Sequence, residues 1–447
     1  MRPLTEPAGS LDQALAHASR LLATDPELAG EQAVEILKVV NDHPAALLVL
    51  GASHSVRGDS GAALDILVPL ARSQPNWALA QLELGVAQGR AGHGEDAVVS
   101  LRRAVALKPD LPQAWLALGD HLSAMGDTRA AEAAYASHIR FATRDPELLG
   151  AAAALCENRI PEAEAALRAH LKKAPTDVAA MRMLAEVAAR LGRDEDAEHL
   201  LARCLELAPG FHAARQNYAL VLFRGNKPAQ ALAEVDSLLA IDAANPGYRN
   251  LKAVVLSRIG DYEPAIAIYS AIVREYPHNP KIWLSYGHAL KTAGHADRAI
   301  DAYRRSIALD PAFGEAYWSL ANLKTFRFDD DDLVAMHRQL ERPNLAQEHR
   351  YHFDFAIGKA LEDAADHAGS FRHYLQGNAL RRETAFYSAD DMSLRVSRAK
   401  SRFTSAFFEQ RAGFGTAARD PIFIVGLPRA GSTLIEQILS SHSAVEG

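Results

Sequence analysis

The sequence predicts a mostly α-helical solenoid, a right-handed superhelix of antiparallel helix pairs. It ends in the first strand, loop and helix of a P-loop-like α/β domain. Three observations carry this. Small residues return every 34 positions, a proline follows them at a fixed distance, and near the C-terminus a glycine loop separates an apolar run from an amphipathic stretch.

The small residues set the register. Ala63, Ala97 and Ala131 are 34 apart; after a two-residue contraction Ala163, Ala197, Ala231, Ala265 and Ala299 resume the step. Twelve residues before each sits Gly51, Gly85, Gly119, Ala151, Ala185, Ala219, Ala253 or Gly287, and twelve after most of them sits Pro75, Pro109, Pro175, Pro209, Pro277 or Pro311. A unit of this length holds two helices of about thirteen residues and two turns. Small residues belong where the two axes cross, because close approach leaves no room for bulk. The proline ends the second helix and starts the turn. Trp283, Tyr286, Leu290, Ile300 and Tyr303 fill the inner positions of one unit.

This pattern resembles the tetratricopeptide repeat. The expected solenoid runs over 44–325, about eight repeats and a half repeat, after a degenerate opening pair or cap at 1–43. A late degenerate pair is expected at 351–384, with Gly358 and Ser370 at its small positions. The resemblance implies a concave groove lined by first helices, which takes a protein or peptide partner. Position six of successive units carries Val49, Glu83, Ala117, Leu149, Met183, Asn217, Leu251, Ser285 and Ser319. This is no ladder of identical amides, which argues against the asparagine-ladder recognition of tetratricopeptide glycosyltransferases; those also lack the C-terminal glycine loop.

The 447 residues carry a net charge of −7, so composition gives no reason to expect nucleic acid. No stretch approaches the ~18 apolar residues of a membrane span, and the N-terminus lacks a signal-peptide core. Two cysteines, Cys156 and Cys204, are no disulfide framework. The expectation is a cytoplasmic protein with neither membrane nor nucleic-acid partners.

Residues 326–411 read as a helical connector. Asp329 to Asp332 suit a helix start, where the dipole favours acidic groups, better than a hard-cation loop, which needs a glycine turn. His349, His352, His367 and His373 lack the further ligands zinc requires, and no metal is expected. Residues 389–411 have the pattern of a basic amphipathic helix with Val396, Phe403, Phe407 and Phe408 on or near one face, expected to pack on neighbouring structure. Residues 412–420, small and glycine-rich, read as a linker.

The stretch PIFIVGLPRAGSTLIEQILSSHSAVEG, residues 421–447, carries the chemistry. Ile422 to Val425 reads as a strand covered on both faces, and helical spacing from Ser432 puts Leu434, Ile435, Ile438 and Leu439 on one face. A strand, glycine loop and helix N-terminus together form an anion site. Against the nucleotide-triphosphate loop, Gly426, Gly431 and Thr433 match but Ser432 replaces the lysine, which disfavours ordinary ATP or GTP hydrolysis. The cation is Arg429 instead. Pro428, Arg429, Gly431, Ser432 and Thr433 resemble the loop of the sulfotransferases, with Ala430 where a serine is usual. The whole stretch resembles bacterial proteins that place tetratricopeptide repeats before a sulfotransferase domain, and the start of the tyrosylprotein sulfotransferase fold; Ser443 stands where a proline is common.

The resemblance implies a donor, 3′-phosphoadenosine 5′-phosphosulfate (PAPS), and a hydroxyl acceptor on a protein, glycan or small molecule, with no metal. Arg429 would stabilise charge on the bridging oxygen as the catalytic cation, and Arg429, Ala430, Gly431, Ser432 and Thr433 would hold the cofactor. In the family, the catalytic base and the 3′-phosphate site lie downstream of Gly447; Glu446 does not align with the base. Residues 421–447 are thus expected to be the truncated start of a transferase domain, and the chain alone to show no turnover. The alternative is a protein–protein interaction scaffold with a vestigial or incomplete transferase domain.

Overall fold

The computed structural model describes residues 10–143, 145–323, 325–384, 387–415, 418, 420–427 and 430–446. They form two compact units, Met1–Arg381 and Arg382–Gly447. Twenty-five helices and no strands occur among the described residues.

In the first unit, Leu11–Leu21 pairs with Pro26–Val39. Eight further pairs run from Pro44–Val56 with Ser60–Ser73 to Pro280–Thr292 with Ala296–Leu309. The predicted crossings form. Leu67 and Leu101 pack on Gly51 and Gly85, and Tyr135 and Tyr303 on Gly119 and Gly287; a methyl at Gly287 would come within 2.5 Å of the Tyr303 ring. The sequence pattern signalled the small residue but not its occupant. That occupant recurs with the repeat as Leu67, Leu101, Tyr135, Leu167, Leu201, Val235, Tyr269 and Tyr303, and all but the half-buried Tyr135 are within 2% of full burial. Burying such a side chain contributes about 1.5–3 kcal/mol, so these contacts hold each pair together.

The prolines stop the second helices as predicted. Ser73, Leu107, Lys173, Leu207, Glu275 and Leu309 end their helices two positions before Pro75, Pro109, Pro175, Pro209, Pro277 and Pro311. The intervening residue leaves the helical region, as at Lys108 with φ −142° and ψ 90°, because the proline ring disfavours αR before it. The two-residue contraction falls at the start of Pro146–Cys156, which is 11 residues long against 14 and 13 for the first helices on either side.

The superhelix closes on itself. The helix Pro112–Met125 packs against Pro246–Ile259, and side chains 125 to 156 residues apart in sequence hydrogen-bond across the closure. Asn245 Nδ2 donates to Asp120 Oδ2 at 2.8 Å, and His121 Nδ1 meets the Tyr276 hydroxyl at 2.8 Å. Asn279 Nδ2 donates to the Ala124 and Ser123 carbonyls at 2.9 and 3.3 Å, and Lys281 reaches the Thr128 hydroxyl at 3.1 Å. The Tyr276 ring lies on Gly94, where any side chain would collide with it, and Ala124 joins the apolar core built around Tyr276, Ile282 and Leu284. The concave groove expected from the repeat pattern becomes a lumen over these repeats, because contacts between distant units bridge it. The reason is side-chain complementarity between units that are distant in sequence.

Past the eighth pair, Gly314–Ala321 packs on Gln347–Asp363. Asp329 caps the helix Asp330–Leu340 in a capping box, and Asp332 forms a two-point ion pair with Arg304.

In the second unit the amphipathic stretch is two helices, Ala389–Arg402 and Ser405–Glu409, because the Thr404 hydroxyl accepts from the Phe407 amide and starts a new turn. The phenylalanines pack on one another: Phe403, Phe407 and Phe408 have ring centroids 5.2 to 6.3 Å apart, with the Arg411 guanidinium 3.8 Å from the Phe407 ring centre. The expected strand at Ile422 to Val425 is not formed. Residues 421–426 have no regular structure, and Ile422, Phe423 and Val425 are exposed. A strand is defined by backbone pairing to a neighbour, and none of the described residues supplies one. The helix Ser432–Ser440 does form.

Candidate functional site

The C-terminal loop turns sharply before its helix. The Ala430 amide donates to the Leu427 carbonyl at 3.1 Å, and a methyl on Gly426 would approach the Ala430 Cβ to 3.3 Å. Gly431 is the N-cap in the left-handed region, φ 85° and ψ 17°, a conformation that favours glycine. No side chain caps this helix. The first-turn amides of a helix lack intrahelical acceptors and sit at the positive end of the dipole. Ala430, Gly431, Ser432 and Thr433 are thus consecutive around an exposed, uncapped N-terminus. Pro428 and Arg429 lie outside the described residues. The apolar face of the helix is open: Leu434, Ile435 and Ile438 are exposed.

The first unit holds a second concentration of polar groups, at the ring closure. Asp120 is buried; its carboxylate accepts from the Tyr135 hydroxyl at 2.9 Å as well as from Asn245, yet burial pushes its pKa up to about 6. Burial pushes His121 down to about 4, against the pull of Asp242 and Glu275. Arg249 grips Glu275 with two hydrogen bonds of 2.6 and 2.9 Å, and Arg90 approaches Asp242 at 3.6 Å. Sequence reasoning missed Asp120, His121, Asn245, Tyr276 and Asn279. The available signal was polar residues at positions the helical pattern assigns to the interior, as with Asp120 and His121 directly after the crossing glycine Gly119.

Burial also holds His288 and His352 near 4. A histidine whose folded pKa is lowered contributes stability that is present above its ordinary 6.5 and lost as pH falls through the folded value. Asp120, raised from 3.8, acts in the opposite sense: its contribution is present at low pH and lost as pH rises through about 6. Burial lowers His138 and His337 in the same sense and raises Glu83 and Glu315 in the sense of Asp120, so five imidazoles against three carboxyls predict a net loss of stability as pH falls from 6.5 to 4. Urea midpoints measured at pH 7 and 4.5 check this, and His121→Asn should reduce the acid-side loss.

Asp145, His170 and Asp177 could by composition hold a cation, their ligand atoms lying within 4.8 Å of one another. Most of their bonding capacity is used within the chain, although His170 Nδ1 is buried without a hydrogen-bond partner, 3.5 Å from a Glu147 carboxylate oxygen. Asp145 accepts from the Glu147 amide, Asp177 Oδ1 accepts from the amides of Ala179 and Ala180, and Asp177 Oδ2 meets His170 Nε2 at 3.0 Å. Of the histidines weighed for zinc, His373 pairs with Asp354 at 2.9 Å and His349 lies edge-on to Phe313.

Inside the ring, residues of Pro112–Met125, Thr128–Ala142, Val178–Arg190 and His212–Arg224 line a cavity of about 850 Å³. Among the described residues no helix is long and apolar enough to cross a membrane.

Residues 82–146 and 148–210 match one tetratricopeptide-repeat family model and residues 195–255 and 260–323 match another. Together they span more than half of the chain, which belongs to the tetratricopeptide-repeat proteins, a class of protein-interaction scaffolds. Residues 421–447 match a sulfotransferase family model, so the repeats are followed by a short sulfotransferase-like segment, an order similar to that of tetratricopeptide-repeat sulfotransferases. An "Uncharacterized protein" of Aquifex aeolicus (strain VF5) is 26% identical over 200 residues, 45% of this chain and 26% of the relative; the chain spans about a quarter of that relative's length. Among solved structures, MamA is 16% identical and covers 38% of this chain and 92% of its own, with a TM-score of 0.34. The APC/C hetero-tetramer Cut9–Hcn1 is 13% identical, covers 78% of this chain and 97% of its own, with a TM-score of 0.39.

Proposed function

We propose that the protein is a PAPS-dependent sulfotransferase whose repeat ring presents a partner protein or hydroxyl acceptor. The observation that carries this is the sulfotransferase-family match at 421–447 falling on an uncapped helix start behind a left-handed Gly431. The amides from Ala430 to Thr433 and the Ser432 and Thr433 hydroxyls bind the 5′-phosphate of the donor. In the transfer, the acceptor oxygen forms a bond to sulfur as the bond from sulfur to the bridging oxygen breaks. The acceptor proton goes to a base, and 3′-phosphoadenosine 5′-phosphate (PAP) leaves with the developing charge. Arg429 is the cation assigned to stabilise that charge. In this reading 326–411 is a connector, 412–420 a linker and 421–447 the opening of the transferase domain. Cys156 and Cys204 are both free, which suits a reducing, cytoplasmic setting.

Calorimetric titration of PAP into the protein expressed from its complete gene tests the proposal. Micromolar binding that needs no magnesium is the expected result. Tight binding of magnesium-ATP with no affinity for PAP overturns it, and absence of any nucleotide binding favours the scaffold alone.

A further inference from the structure

We infer that the ring lumen is a docking channel for one extended, acidic segment of a partner polypeptide, held by Arg182. The inference rests on the partner-presenting half of the proposed function and is independent of the sulfate chemistry.

The lumen limits the occupant by size. Pro112–Met125 and Pro246–Ile259 close the ring across Asp120 and Asn245, and a cavity of about 850 Å³ admits an extended segment of a few residues but not a folded domain.

Charge then selects among extended segments. Four charged side chains line the cavity: Glu132, Arg182, Glu186 and Arg190. Arg190 is matched, donating from Nε to Glu186 at 2.9 Å and from a terminal nitrogen to the Leu155 carbonyl at 3.1 Å. Glu132 is exposed to water. Arg182 is different. Its Nε is enclosed without a hydrogen-bond partner, its guanidinium lies 5.7 Å from the centre of the Phe211 ring, and burial pushes its pKa below the ordinary range. Glu186, one turn along the same helix, acts on Arg182 through its charge, but its carboxylate is hydrogen-bonded to Arg190. A guanidinium enclosed at Nε with no carboxylate hydrogen-bonded to it is costly, and an incoming carboxylate can bind it in two-point geometry while gaining from the same low dielectric. The amides of Gln216 and Asn217, also on the lining, supply donors and acceptors for an extended main chain.

The test is fluorescence anisotropy of an end-blocked, fluorescein-labelled (Gly-Glu)5 peptide titrated with the 447-residue chain, without PAPS. End-blocked (Gly-Gln)5 and (Gly-Lys)5, and (Gly-Gln)5 with a free C-terminus, are the comparisons. Saturable binding of the acidic peptide, at least about tenfold tighter than any comparison, is expected. Arg182→Gln should weaken it by about tenfold or more, and Arg182→Glu should move the preference to the lysine peptide. Equal binding of the side-chain variants, no acidic binding, or unchanged affinity in Arg182→Gln overturns the proposal. So does a free C-terminus binding as well as the acidic peptide. Should the variants not fold, hydrogen exchange on the wild type decides: the acidic peptide must protect residues 178–224, and absence of protection there overturns the proposal. Because no donor is present, this outcome is separate from that of the PAP titration.

Discussion

Replacing Arg429 with alanine is expected to lower sulfate transfer from labelled PAPS by about 10²–10³-fold in the protein from its complete gene, the range seen when a preorganised stabiliser of transition-state charge is removed. Sulfuryl transfer leaves a dianionic phosphate, and the loop has no lysine at Ser432 to meet it. In the proposed site the amides after Gly431 would provide partial charges, whereas Arg429 would provide a full charge to meet the one that develops. Its loss should therefore fall mostly on turnover, with a smaller loss of PAP affinity. Arg429→Lys should recover only part of the rate, since lysine keeps the charge but not the planar two-point fork. The solenoid should be unaffected, so the melting temperature serves as the control. Full activity in Arg429→Ala would remove this arginine from the mechanism.

The second large effect is expected at Asn279→Asp. Asn279 is 3% exposed and has two functions. Its Oδ1 accepts from the amides of Lys281 and Ile282 at 2.9 and 3.3 Å, capping Pro280–Thr292, while its Nδ2 donates across the ring to the Ala124 and Ser123 carbonyls. Aspartate preserves the cap. It removes the donor and sets a buried carboxylate against two carbonyl oxygens, so the closure alone is damaged. A loss of about 2–4 kcal/mol is expected, with a larger radius of gyration in solution scattering and faster exchange of the amides near Ala124. Lys281→Ala removes an exposed contact across the same boundary and should cost less than about 0.5 kcal/mol. Unchanged scattering and stability in Asn279→Asp would mean that the closure does not depend on this amide.

The local parts of this fold were legible in the sequence because their causes are local. Gly119 and Gly287 mark close helix crossings, and Pro109 or Pro277 stops a helix whatever lies beyond it. The ring closure was not legible, because a 34-residue period describes each unit against its neighbours and carries no information about units four places away. Asp120 reaching Asn245, and His121 reaching Tyr276, are decided by superhelical pitch. The loop was legible in part: the turn at Gly431 and the helix from Ser432 follow the pattern. Ile422 to Val425 has the composition of a strand, but composition does not create a pairing partner. Arg429, the cation proposed for the chemistry, was named from its motif alone and lies outside the described residues.

The closure also changes how the first unit is expected to come apart. A row of repeats that touch only their neighbours frays from its ends, each losing its contacts in turn. Here the Tyr276 hydroxyl and the Asn279 amide tie the row back to its early part, so the repeats between them cannot loosen singly without breaking that tie. The enclosed stretch should melt as one cooperative block, and during synthesis residues near Ala124 must wait for about 150 more to emerge before their partners exist. Deleting one internal repeat, a change that open arrays tolerate, would leave the two edges of the ring unable to meet.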